Sequence, residues 1–132
     1  MNILTLSAFV VCWSTVAGCA PMPISAEDAD PVPSSRLYAF SKKLEGEIVV
    51  TRDSGFAGSG CTIRFYIDGK PAADFHSGEV ARFGVTAGRH VLGAEPIRMC
   101  AGSGIGETEA FVNAGESLRR RIAGALVLPT TF

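Results

Sequence analysis

Residues 61–71 read CTIRFYIDGKP. Cys61, Ile63, Phe65 and Ile67 alternate with Thr62, Arg64 and Tyr66. Successive side chains of a strand point to opposite faces, so this period-two pattern predicts one apolar and one polar face. Asp68-Gly69-Lys70-Pro71 stops the pattern with residues that favour a turn. The stretch thus predicts a half-buried β-strand with one side against a core.

The flanking sequence repeats this grammar. Glu47 to Thr51 (EIVVT) is short and β-branched, as a strand requires. Ala81, Phe83 and Val85 alternate with Arg82 and Gly84, and His90 to Ala94 follows as a return strand. Val85-Thr86-Ala87-Gly88-Arg89-His90 and Val112-Asn113-Ala114-Gly115-Glu116-Ser117 share a form: strand end, Ala-Gly, a charged residue, new strand. Both predict hairpin turns in which glycine supplies a positive φ. Leu118, Arg120 and Ile122 alternate with Arg119, Arg121 and Ala123, and Ala125 to Leu128 is a candidate last strand. Ser34 to Leu44 is the best helix candidate. About seven short strands separated by glycine turns predict an all-β fold, a small antiparallel β-sandwich. Its inner faces are expected to bury Ile48, Val50, Ile63, Phe65, Ile67, Phe83, Val85, Leu92 and Val112.

The run Tyr66-Ile67-Asp68-Gly69-Lys70-Pro71-Ala72, with Gly78-Glu79 and Phe83-Gly84-Val85-Thr86-Ala87-Gly88-Arg89-His90-Val91-Leu92, resembles PEGA-like domains of uncharacterised bacterial lipoproteins. The likeness covers Cys61 to roughly Ala94, with Ala87 where that family usually has proline. It implies a small extracytoplasmic β-sandwich without catalytic residues. Its motif consists of turns, so it transfers no functional residue.

The other end of the chain speaks to location. Met1 to Gly18 holds no charged side chain, and Ile3 to Val16 is mostly apolar. That run is short for a membrane span of roughly 17–25 residues and suits a signal peptide. Val16-Ala17-Gly18-Cys19 resembles the bacterial lipobox. The resemblance implies cleavage before Cys19 and acylation of that cysteine, with palmitate-type chains as the anchor. Ala20 stands where enteric lipoproteins retained in the inner membrane carry Asp, so the implied address is the outer membrane, facing the periplasm. Residues 1–18 then form the signal peptide. Residues 19–35 form the lipidated Cys and a flexible spacer, because Pro21, Pro23, Pro31 and Pro33 with Glu27, Asp28 and Asp30 offer little to bury. Residues 36–132 form the sandwich domain.

Two cysteines remain in the predicted domain. In an oxidising compartment Cys61 and Cys100 are expected to form a disulfide. Glycines beside them, Gly60 and Gly102, would let the two backbones approach.

The remaining motifs favour structure over chemistry. The Gly-rich stretches 55–60 and 102–106 lack the Lys-Ser/Thr and the following helix of phosphate loops. His76 and His90 have no second ligand at close spacing, so no metal or cofactor is expected. Glu107 and Glu109 read as a solvated pair, Asp53 as a turn residue, and no catalytic residue is assigned. Arg119-Arg120-Arg121 is the densest charged run and the candidate interaction site for acidic lipid or a partner. On a strand its members alternate faces, and at an edge they would discourage aggregation. A net charge of −1 argues against a nucleic-acid partner. The function expected is that of a non-catalytic, lipid-anchored binding or accessory module with an envelope protein or ligand as partner. The alternative is an immunity or inhibitor lipoprotein that blocks a toxin or hydrolase, through a loop at 53–60 or 101–107.

Overall fold

A computed structural model describes residues 21–38, 42–55 and 60–132. The strands are β1 (Asp30–Pro31), β2 (Gly46–Arg52), β3 (Thr62–Ile67), β4 (Lys70–Phe75), β5 (Glu79–Val85), β6 (Gly88–Ile97), β7 (Gly106–Val112), β8 (Ser117–Ala123) and β9 (Leu126–Pro129). Two sheets pack face to face, one in the order β1-β5-β2-β8-β9 and one in the order β4-β3-β6-β7. The all-β sandwich is therefore observed. The second sheet is antiparallel throughout, whereas the first is mixed, with β2 running parallel to β8 and β1 parallel to β5.

The strand that opens the sequence argument behaves as its pattern requires. Ile63, Phe65 and Ile67 of β3 are buried, and Arg64 and Tyr66 lie on the opposite face. All nine residues expected on the inner faces belong to one continuous core. Its centre is a trio of rings. Phe65 stacks on Phe83 at 5.5 Å, and Phe75 meets both edge-on. Aromatic pairs at such spacings add about 0.5–1.5 kcal/mol beyond the area they bury.

β4 was hidden in the sequence by its own turn residues. Lys70 and Pro71 belong to the strand, and the register with β3 slips between Phe65 and Tyr66 so that Ala72 is the extra residue. β4 is an edge strand, where a proline and a bulge are tolerated. The tight turn before it uses Asp68 and Gly69, both at positive φ.

The two Ala-Gly turns are alike, but they are not hairpins. The first leads from β5 in the first sheet to β6 in the second. The second leads from β7 back to β8 in the first sheet. A hairpin would keep both strands in one sheet; these turns fold the sandwich. Glu45 ties them together, accepting from the Ala87 backbone N–H at 2.9 Å through its side chain and from that of Gly115 at 2.7 Å through its carbonyl.

The predicted helix at Ser34 to Leu44 is also corrected. Of its described residues only Ser34–Arg36 form a single 3-10 turn, and Leu37 pairs with Ala73 in an isolated bridge. Residues 39–41 lie outside the described residues.

The largest correction concerns the spacer. Its described part, residues 21–35, is docked rather than flexible. Met22 and Ser54 exchange backbone hydrogen bonds of 2.7 and 2.8 Å. Ala26 is buried, and Glu27 accepts from Arg119 at 3.2 Å. β1 then pairs with β5, Val32 enters the core, and Tyr38 donates its N–H to Ala72 on the far sheet at 3.0 Å. This strap crosses the first sheet and closes one open side of the sandwich. Its average composition is poor in apolar residues, but two well-placed ones, Ala26 and Val32, suffice once backbone pairing supports them. The folded unit therefore begins ahead of residue 36.

Candidate functional site

Three polar constellations stand outside the core. The first fastens the strap. Asp74 is 1% exposed, although it lies on the outer face of the second sheet. Arg64 holds both of its oxygens, at 2.8 and 3.0 Å, and the Tyr38 hydroxyl donates to it at 2.5 Å. The Arg64 guanidinium also lies 5.5 Å from the centre of the Tyr38 ring. Burial pushes the Asp74 carboxyl up, but the bonds from Arg64 and Tyr38 outweigh it and hold the group below the usual carboxylate range. Alongside, Arg36 makes a two-pronged pair with Glu79 at 2.6 and 2.8 Å and donates to the Asp74 carbonyl. Such paired guanidinium–carboxylate contacts fix geometry as well as charge.

The second constellation sits where β6 begins. His90 Nδ1 lies 2.7 Å from Asp68 Oδ2, and Nε2 lies 2.7 Å from the Thr86 carbonyl oxygen. A carbonyl only accepts, so Nε2 carries a proton; the carboxylate takes the other. Burial lowers the His90 pKa, but donation to Asp68 and Thr86 wins and raises it above the usual value. The ring is a charged latch between the β3–β4 turn and the inter-sheet crossing. Its second nitrogen is occupied, so it is not placed as a free base. A cavity of about 160 Å³ adjoins it, lined by Leu44, Ile67, Asp68, Lys70, Val85 and His90.

The third constellation contains the arginine run. β8 lies between β2 and β9, so the run is inside the sheet and not at its edge. Register places Arg119 and Arg121 opposite Val49 and Thr51, while Arg120 faces inward beside Val50. The three do alternate faces, and each is engaged within the fold. Arg119 bonds Glu27, Arg121 pairs with Asp53 at 2.6 Å, and half-buried Arg120 donates to the Arg119 carbonyl at 2.9 Å. Desolvation lowers the Arg120 pKa. Arg119 holds the strap, Arg121 holds Asp53 and Arg120 points inward, so the run is not one free basic patch.

Asp53 is likewise more than a turn residue. It is buried, its N–H donates to Ile122, and its Oδ1 has no hydrogen-bond partner. Next to it Arg52, also buried, donates to the Cys61 and Phe75 carbonyls and caps the core. Both line a cavity of about 200 Å³ with Pro21, Cys61, Pro96 and Gly124.

The disulfide between Cys61 and Cys100 is present, with Cα atoms 5.6 Å apart. It joins the start of β3 to the 3-10 turn Arg98–Cys100 after β6. The neighbouring glycines do not create this approach, because a Cβ on Gly60 or Gly102 would meet nothing within 4 Å. Gly102 is needed for its backbone, at φ 113°. The close contact lies instead at Gly106, where a Cβ would collide with the Ala125 carbonyl.

Among the remaining candidates, Glu109 pairs with Arg89 on an exposed face, and the His76 N–H donates to Glu79. Among the described residues no group of three His, Cys, Asp or Glu is placed to hold a metal ion. Cys19 lies outside the described residues. Sequence reasoning missed Arg36, Asp74 and Glu79: the strap brings Arg36 to Glu79 and Tyr38 to Asp74, and the β3–β4 register brings Arg64 to Asp74. It also missed Met99, an apolar residue next to a cysteine in a Gly-rich loop, which is 88% exposed. Comparison with family models, curated proteins and solved structures found no match for this chain.

Proposed function

We propose that this protein is a non-catalytic, lipid-anchored module of the bacterial cell envelope, held in the outer membrane through acylated Cys19 and facing the periplasm. Its domain, of PEGA-like kind, would bind an envelope protein or ligand there. The observation that carries the reading is the Cys61–Cys100 disulfide downstream of Val16-Ala17-Gly18-Cys19. Disulfides persist in oxidising compartments, and a lipobox addresses its protein to one.

The inhibitor reading has two loops. In the first, 53–60, Asp53 pairs with Arg121, and residues 56–59 lie outside the described residues. The second, 101–107, is exposed through residue 105 and braced by the disulfide. The test for the anchor is labelling of cells with radioactive palmitate. The wild type should take up label, and Cys19→Ala should not. Equal labelling, or none in either, would overturn the proposal. Cross-linking of envelopes without reduction, followed by mass spectrometry, then identifies the partner.

A further inference from the structure

The strands define two unlike ends of the sandwich. At one end lie the last residues of β2, β4, β6 and β8, the first residues of β3, β5, β7 and β9, and the disulfide. Among the described residues, the exposed large apolar side chains Met22, Met99 and Leu126 sit there, while Ile105 folds back over Gly93 on the outer face of the second sheet. The connections touch one another. Pro21, Cys61 and Gly124 share one cavity wall, and Gly106 lies against Ala125. Loops 98–105 and 124–125 hold a single charged side chain, exposed Arg98. Asp53 and Glu79 are buried in ion pairs, and exposed Asp30 and Glu107 stand at strand starts along the rim. The opposite end carries more charge, with Lys42, Lys43, Glu45, Asp68 and Glu116 in its loops and Lys70 at the start of β4, around one exposed apolar side chain, Leu44.

The strap decides which end meets the lipid. Met22 is pinned to Ser54 by two backbone bonds, at the apolar end. Cys19 is three residues earlier, and extended chain spans at most about 3.3–3.6 Å per residue. An acyl anchor on Cys19 thus lies within roughly 10 Å of the Met22 backbone. No long tether separates the domain from its membrane.

We propose that the disulfide end of the sandwich rests on the bilayer, with Met22, Met99 and Leu126 in the lipid interface and the opposite end directed away; this rests on the reading of Cys19 as the acylated residue. The acyl chains on Cys19 hold the domain at the surface, and apolar side chains beside them add buried area that orients it. Arg98 suits anionic headgroups. The disulfide holds Met99 outward on its 3-10 turn.

The chain offers a clean probe. Its one tryptophan, Trp13, lies in the signal segment, so the mature protein carries none. Met99→Trp and Leu44→Trp, each in the full acylated protein, report on the two ends. In vesicles of phosphatidylethanolamine and phosphatidylglycerol containing brominated lipid, Met99→Trp should be quenched several-fold more than Leu44→Trp. A flexible Gly-Ser insert between Ala20 and Pro21 should reduce that quenching while acylation persists. Mass spectrometry of the N-terminal peptide separates the two ideas. Acylated protein with equal quenching at both positions overturns the orientation alone. An unacylated Cys19 removes the anchor and overturns both. Shielding of Met99→Trp from aqueous iodide only when an envelope protein is added would give this end to a protein partner, and would also overturn the proposal.

Discussion

Removing the disulfide through the double variant Cys61→Ala/Cys100→Ala should cost this domain about 4 kcal/mol. The figure follows from the loop it closes. The cysteines are 39 residues apart, and the chain-entropy relation gives about 13 cal/mol/K for such a loop. The loss is global, because the loop contains β3, β4, β5 and β6 and so includes strands of both sheets. Unfolding one sheet alone cannot relieve it. At about 4–8 °C per kcal/mol, the thermal midpoint should fall on the order of 20 °C. Urea denaturation of the oxidised wild type and the double variant is the assay. The midpoint should drop and the slope should rise, because an uncross-linked denatured chain exposes more surface. A loss below about 1 kcal/mol with an unchanged slope would refute the reasoning. It would mean that the denatured chain already holds β3 beside β6 without the bond.

Other outcomes follow from single contacts. Phe83→Ala should cost about 3–5 kcal/mol in urea denaturation, because it removes a fully buried ring that touches both Phe65 and Phe75. Asp74→Asn should cost about 3 kcal/mol at pH 7 by leaving Arg64 without its carboxylate. The folded Asp74 pKa is below its unfolded value, so its contribution is full above the unfolded pKa and lost as pH falls through the folded one. The gap between wild type and variant should therefore narrow below about pH 4. His90 carries the opposite sign. Its folded pKa is raised, so its contribution is full below the unfolded value near 6.5 and is lost as pH rises through the folded one. Thermal midpoints of the wild type relative to His90→Gln should fall from neutral to alkaline pH; a constant difference would remove the latch.

The sequence by itself determined which side chains face the core. Period-two alternation in β3, β5 and β6 is a local property of the backbone, and every inner-face residue inferred from it is buried. It also determined that Asp68-Gly69 turns the chain, and the bond it led one to expect between Cys61 and Cys100 is present. Only the tertiary structure decided which strands share a sheet. Val85 to His90 and Val112 to Ser117 have the local form of hairpin turns, and nothing in them shows that the next strand joins the other sheet. The parallel pairing of β2 with β8 joins residues about seventy positions apart, beyond any pattern in a window. The roles of Arg119, Arg120 and Arg121 were decided in the same way. Alternation placed them on opposite faces, but the strap beside one face and the core beside the other turned a charged run into internal structure. The strap itself was hidden for a related reason. Composition measures how much a segment can bury on average, whereas docking depends on where Ala26, Val32 and Arg36 fall against a sheet formed by the rest of the chain.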